Sequence, residues 1–470
     1  MSRRQPISIK RRGVQYILLT YIAACVAVGG AGREGLYAHG VLQAIAGLGI
    51  SALIATWPGH LKLSRFREPL IVVCAVAVIG GMQLVPLPNA IWQSLPGRTV
   101  VVDGYANLGM EMPSLPISMN FEATLVSLGY LLPPMFVLLL SARIGLRELR
   151  PILPWFVVGL AFSSIVLGLA QVIAGSDSAL YFYEFTSGEL PVGFFSNVNH
   201  QATLMLISLP FCGYLLADLV RNWEMKDSNV AAAIVLVGAM FCVLIGLFAA
   251  GSVAGYILLV PVTALTLLAM RKTGKGVSAL WVQIGALVLL SLTALIVATS
   301  PVLENLGVTS FSNEEGSRFY MWTITLEAIR DHWLFGSGWG TYESVIPGYE
   351  DPNAVTASFV AKAHNDYLQI IMEGGVFGLG LVLFSLFWIG REFSRLWSNA
   401  TLATSVSLRK FVLISIFVVI LHSLVDYPLR TPGIAAVLSL CVAIVMSSGQ
   451  QERDVAAEAQ TGENAKRLVL

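Results

Sequence analysis

The chain has 470 residues, 56% of them hydrophobic and only 12% charged, and a mean hydropathy of +0.74. Those values exclude a disordered chain and an ordinary soluble domain, and they point to a membrane protein. Charge is nearly balanced, at 29 basic and 28 acidic residues, so composition makes no case for nucleic acid as a partner.

A helix that crosses a bilayer needs about 20 largely apolar residues. Twelve stretches meet that requirement, near 14–32, 37–57, 69–87, 121–141, 152–174, 200–220, 230–249, 251–270, 278–300, 367–390, 411–427 and 431–448. Basic residues precede the first, but no small-residue cleavage site and soluble domain follow it, so it reads as a retained span. The seventh and eighth stretches are nearly continuous and are divided at Ala249-Ala250-Gly251-Ser252. The expected fold is therefore an all-α polytopic membrane protein of about 12 transmembrane helices, with one large loop carrying short helices. Its parts are a membrane bundle over 1–300, the large loop over 301–366, three further spans over 367–448, and a tail over 449–470 expected to be disordered. The five cysteines, Cys25, Cys74, Cys212, Cys242 and Cys441, lie inside apolar runs without ligand spacing. They predict neither a disulfide nor a zinc site.

Lysine and arginine orient these spans. With the N-terminus inside, only Arg33, Arg98, Arg318, Arg330, Lys362 and Arg430 of the 29 basic residues fall outside. That is the bias of the positive-inside rule. It places both termini in the cytoplasm and the loops 88–120, 175–199 and 301–366 on the opposite face. Arg33 and Arg98 read as solvated loop residues or headgroup anchors. Arg318 and Arg430 adjoin conspicuous motifs.

The first of those motifs opens the stretch from Gly316 to Gly378. Ser317 is a candidate N-cap, and Phe319, Trp322, Leu326, Ile329 and Trp333 recur at helical spacing. Gly336, Gly338 and Gly340 should end that helix. A glycine run can cradle phosphate, but no strand precedes this one and no lysine follows it, so a plain turn is the better reading. His364-Asn365-Asp366-Tyr367 then opens the tenth span, with Asn365 or Asp366 as its cap. His364 thus stands at a helix N-terminus, a position that favours anions. Two further polar clusters face the same side. One is Gly193-Phe194-Phe195-Ser196-Asn197-Val198-Asn199-His200. The other is His422, Asp426 and Arg430. His422 and Asp426, four residues apart, share a helix face and can pair, in a structural or a catalytic role. His39, His60 and His332 show no partner pattern. The six histidines contain no metal-binding spacing, so no metal is expected.

The sequence SRFYMWTITLEAIRDHWLFGSGWG, followed by HNDYLQIIMEGGVFGLG, resembles the O-antigen ligase-related family of bacterial inner-membrane glycosyltransferases and polysaccharide polymerases. GFFSNVNH resembles the same family. The resemblance implies a periplasmic active site and a glycan donor on undecaprenyl diphosphate. It implies an acceptor that is lipid A–core for a ligase or another lipid-linked glycan for a polymerase. It implies inversion without metal or other cofactor, with membrane lipids as the remaining partners. By matching position, Arg318 would bind the leaving diphosphate and His364 would orient or deprotonate the acceptor hydroxyl. Asn197 and Asn199 would line the site, with Asn365, Tyr367 and Trp322 as further substrate contacts. Many members carry a Ser-Arg pair where this chain reads Ser252-Val253, and Arg430 is the candidate substitute. A transporter of lipid-linked sugars is the alternative from another class. Against it, the sequence shows no internal repeat, and its charges lie at the outer boundary instead of mid-membrane.

Overall fold

The computed structural model describes residues 9–33, 36–56, 66–144, 146, 149–187, 189–221, 227–271, 318–352, 361–398 and 407–447. Long apolar runs become helices here because a bilayer offers backbone groups no water, and a helix satisfies them within one segment. The helices are α1 (Ile9–Val28), α2 (Tyr37–Thr56), α3 (Arg67–Gln83), α4 (Asn89–Trp92), α5 (Thr99–Asn107), α6 (Phe121–Gly129), α7 (Leu132–Ile144) and α8 (Leu153–Ala174). They continue with α9 (Val198–Arg221), α10 (Asp227–Ala249), α11 (Val253–Arg271), α12 (Arg318–Asp331), α13 (Tyr342–Val345), α14 (Asp366–Ser398) and α15 (Leu408–His422), and with α16 (Pro432–Ser447). Among the described residues, seven stretches are helices long and apolar enough to cross a membrane, with Phe121–Ile144 counted as one. Every expected span but one coincides with a helix among the described residues. The exception, 278–300, lies outside them, as do 301–317 of the large loop and the tail.

The most buried of the candidate spans is α9. It packs against α8, α10, α11 and α15. In lipid, helices associate through close packing and interhelical hydrogen bonds more than through water exclusion. Both are present. A Cβ on Gly213 of α9 would lie 2.3 Å from Thr266 Cγ2 of α11, so only glycine permits that approach. Ser415 Oγ of α15 donates to the Ile207 carbonyl of α9 at 2.8 Å. The expected division between α10 and α11 holds, with Gly251 at φ +66° in the turn.

Outside the bundle, β1 (Pro86–Leu87) pairs antiparallel with β2 (Leu115–Pro116). Arg98, expected to be solvated, is 2% exposed. It lies over the Trp92 ring at 4.9 Å, donates to the Ile117 carbonyl and touches Met119 Sδ. Its charge is dispersed over an aromatic face and a carbonyl instead of water. Burial pushes the neighbouring His332 down to about 4, with Arg98 acting in the same direction and Asp331 opposing.

The glycine-rich turn does end the helix, and its purpose is clear from its contacts. α14 is broken at Gly375, whose backbone is at φ 58° and ψ −144°. The break frees the Met372 and Glu373 carbonyls. Ser337 N and Gly338 N donate to them at 3.0 Å each. Gly336 N bonds the His332 carbonyl, and Trp339 N bonds Gln83 Oε1 at 3.1 Å. Four successive N–H groups therefore have protein partners, which argues against a phosphate cradle. The turn splices the loop onto the broken helix.

Candidate active site

Three polar segments converge at one end of the bundle: the entry to α9, the entry to α14, and the turn that follows α15. Each is shaped by local capping. Asn197 Oδ1 accepts Asn199 N at 2.8 Å, and its carbonyl accepts the N–H groups of His200 and Gln201. Asn365 Oδ1 accepts the N–H groups of Tyr367 and Leu368 at 3.0 and 3.1 Å, so Asn365 is the cap of α14. These are the side-chain bonds that satisfy open N–H groups at helix starts. Asn365 Nδ2 also donates to the Leu424 carbonyl at 2.9 Å, and Tyr367 Oη to the Ile420 carbonyl at 2.7 Å. Asp366 N lies within bonding distance of the Ser423 and Asp426 carbonyls, at 2.9 and 3.2 Å. The start of α14 is thereby clamped to the turn at 423–427.

His364 stands at the clamp. Its φ of 46° makes it the one non-glycine residue with positive φ among the described residues. Left-handed backbone of this kind costs roughly 1–2 kcal/mol and persists where surrounding contacts over-determine it. His364 Nδ1 lies 3.3 Å from Asp426 Oδ1. Asp426 has no solvent exposure, and His200 Nε2 approaches the same oxygen at 4.0 Å. Asp426 N bonds the His422 carbonyl, and His422 Nδ1 shares a hydrogen with Thr203 Oγ1 at 2.7 Å. The expected coupling of His422 with Asp426 is present through charge and this backbone bond, but the side-chain contact of Asp426 is with His364. α15 ends at His422, and Asp426 lies in the turn beyond, facing His364 across two elements. Tyr427 packs edge-on against both His200 and His364, with ring centroids 5.0 and 4.9 Å apart. Its hydroxyl takes a hydrogen bond from Asn197.

The other expected residues divide. Asn199 Oδ1 accepts Ser252 Oγ at 2.7 Å, which joins the asparagine pair to the start of α11. Arg318, the first residue of α12, lies close enough for its charge to act on His422 and Tyr427. Trp322 sits one turn further along α12, half-buried and edge-on to Phe319 at 5.5 Å. Among the described residues its indole N–H has no hydrogen-bond partner, so nothing ties it directly to the His364 group. Arg430 is held inside the protein. Its Nη2 donates to Glu373 Oε2 at 2.9 Å, and its Nε lies 3.7 Å from Asp366 Oδ1. Two carboxylates thus flank its guanidinium, at the entry to α14 and not at Val253.

Glu373 and Tyr427 are polar residues of this cluster that sequence reasoning did not single out, and His200 had been noted only as the end of the Gly193–His200 run. Glu373 had a signal: a carboxylate inside an apolar span is costly unless paired. Among the described residues no three His, Cys, Asp or Glu side chains are arranged to hold a metal ion. Beside the cluster lies a cavity of about 420 Å³ between α3, α7, α14, α15 and α16. Val73, Leu138, Leu381, Ile416 and Leu438 wall it, and Asp366, Glu373 and Arg430 close its polar end.

A family model described as O-antigen ligase matches residues 238–383. The match supports an O-antigen ligase-related family, and it includes Arg318, Trp322 and His364-Asn365. No curated protein matches the chain.

Proposed function

We propose that this membrane protein is a glycosyltransferase of the O-antigen ligase-related family, moving a glycan from undecaprenyl diphosphate to an acceptor hydroxyl on the periplasmic face of the bacterial inner membrane. The observation that carries this reading is the His364–Asp426 contact at 3.3 Å, with Arg318 close enough to act on the same cluster. With its Nδ1 turned to Asp426, His364 in the Nδ1–H tautomer keeps a lone pair on Nε2. That nitrogen takes the proton of the acceptor hydroxyl, and the buried carboxylate stabilises the imidazolium that forms. The hydroxyl oxygen attacks the anomeric carbon, the bond to the diphosphate breaks, and the electron pair leaves with the diphosphate. Attack opposite the leaving group inverts the anomeric centre.

Charge grows on the diphosphate as the bond breaks. Arg318 supplies a guanidinium fork for it, and the starts of α9 and α14 supply partial positive charge. No step requires a metal. Asn197 and Asn199 hold Tyr427 and the start of α11 in place beside the reacting groups. Asn365 and Tyr367 fix the strained histidine. The apolar cavity fits a polyprenyl tail. Arg430, matched by Glu373 and Asp366, serves to hold the upper part of α14 in place.

The preferred acceptor is lipid A–core, as in a ligase; a polymerase of the same family would use another lipid-linked glycan. A null strain with its glycans separated by size tests both. Loss of long chains from lipid A–core with accumulation of lipid-linked polymer supports the ligase. Accumulation of single lipid-linked repeats supports the polymerase. Normal glycans on both carriers would overturn the enzyme and leave the transporter to be considered.

A further inference from the structure

Three large apolar side chains on α12 and in the turn just after it belong to neither the core nor the cluster around His364. Phe319, Leu326 and Trp333 are 51%, 54% and 53% exposed. The opposite face, with Ile324, Thr325 and Ala328, is buried against the protein. Thr323, Glu327 and Arg330 share the exposed side. Large apolar side chains aligned on one exposed face mark a surface that meets something other than water.

Hydrogen bonds fix how deep this helix sits. Just after α12, Leu334 O accepts Val376 N at 3.3 Å, and the Phe335 ring stacks on Phe377 at 6.2 Å. Trp339 Nε1 donates to Val76 O at 3.1 Å, within α3. The end of α12 is therefore tied to the break in α14 and to the middle of α3, both inside expected membrane spans. Beyond the break, α14 presents Val376, Phe377, Leu383 and Phe387 outward, which is the lipid-facing surface of a span. Trp333 stands where that surface begins, so the stripe continues it. Aromatic side chains with an arginine among them suit the boundary region, because the rings seat among the headgroups and arginine reaches its charge to the phosphates.

We infer that α12 is an interfacial helix whose Phe319–Leu326 face, together with Trp333 in the turn just beyond it, is immersed in the bilayer leaflet on the His364 side. The occupant of this face is lipid, and the inference stands apart from the glycosyl-transfer reading. Its consequence is that Arg318, in the first turn of α12, is carried at headgroup depth and not in a water-filled loop.

The test uses full-length protein in phosphatidylcholine vesicles, with the native cysteines replaced. Single cysteines at Leu326, Trp333 and Asp351 are labelled with an environment-sensitive fluorophore. Positions 326 and 333 point away from the protein, so labelling there leaves its packing intact. Their emission should shift to the blue, be quenched by lipids carrying nitroxide on the acyl chain, and resist iodide. The label at 351 should show the reverse. Iodide quenching at 326 and 333 equal to that at 351 overturns the inference. So does shielding from both quenchers, which would mean that protein, from this chain or a second copy, covers the stripe. Leu326→Ser with the label at 333 gives an independent reading, because lost immersion appears as a red shift in protein that still elutes as a folded species.

Discussion

Replacing Asp426 by asparagine isolates the charge of the His364–Asp426 pair. The turn fixes which atom faces the histidine. Tyr427 N donates to Asp426 Oδ1 at 2.9 Å, and His364 Nδ1 meets the same oxygen at 3.3 Å. In the variant the amide oxygen stays where it can accept both, so the histidine tautomer survives and mainly the negative charge is lost. Two unit charges 3.3 Å apart interact by about 5 kcal/mol at an effective dielectric constant near 20. The proton is about half transferred at the transition state, so the lost stabilisation is about 2.5 kcal/mol, or roughly 10²-fold in rate. The assay is glycan transfer from the lipid-linked donor by purified protein in vesicles, normalised to folded protein, with donor binding measured in parallel. Asp426→Asn should lose about 10²-fold in transfer and keep donor binding. Transfer within about twofold of the wild type would refute the proposal that this carboxylate supports a histidine base.

Arg318→Lys keeps the charge but loses the fork, and should slow transfer by about 10²–10³-fold. His364→Ala should bind donor while transfer falls by about 10²–10⁴-fold; near-normal transfer by that variant would reduce His364 to a structural role at the start of α14. Arg430→Met strands Glu373 and Asp366, and should lower stability in detergent by about 3–5 kcal/mol, partly recovered by adding Glu373→Gln. An unchanged melting temperature would mean that the three side chains are not a matched group. Gly336→Ala would place a Cβ 2.1 Å from the Glu373 carbonyl oxygen at a φ of +75°. It should destabilise by more than the roughly 1–2 kcal/mol of left-handed backbone alone, read as a drop in melting temperature. Single cysteines at Ser187 and Gly348 should react with an impermeant thiol reagent from the periplasm, and one at Thr273 should not. Outside labelling at Thr273 would break the topology.

Helix positions were legible because bilayer-length apolar runs leave the backbone few alternatives. The cap at Asn365 and the glycine stop after α12 were legible for local reasons. What the sequence concealed is what depends on distance along the chain. Asp426 was read only against His422, whose carbonyl and charge it does meet, because helical periodicity sees no partner beyond the same helix. The chain turns at Ser423, and the partner is His364, 62 residues away. Glu373 and Arg430 are 57 residues apart and meet only because two helices and a turn bring them together. The stripe from Phe319 to Ile329 was correctly placed on a helix, with Trp333 just past its end, but periodicity does not say whether a face meets protein or lipid. Arg98 looked like a loop cation because its partners, Trp92 and the Ile117 carbonyl, show no charge pattern.

The splice between the glycine turn and the break at Gly375 has a consequence for exchanging parts between related chains. Residues 334–338 and 372–376 form one hydrogen-bonded unit, although more than 30 residues separate them. A chimera that imports a foreign loop up to His364 would keep the host's broken helix but bring a turn shaped for another break. The Met372 and Glu373 carbonyls would then face mismatched donors within the membrane, where no water can replace them. A workable graft boundary therefore lies beyond Gly378, so that the turn and the broken helix travel as one cassette.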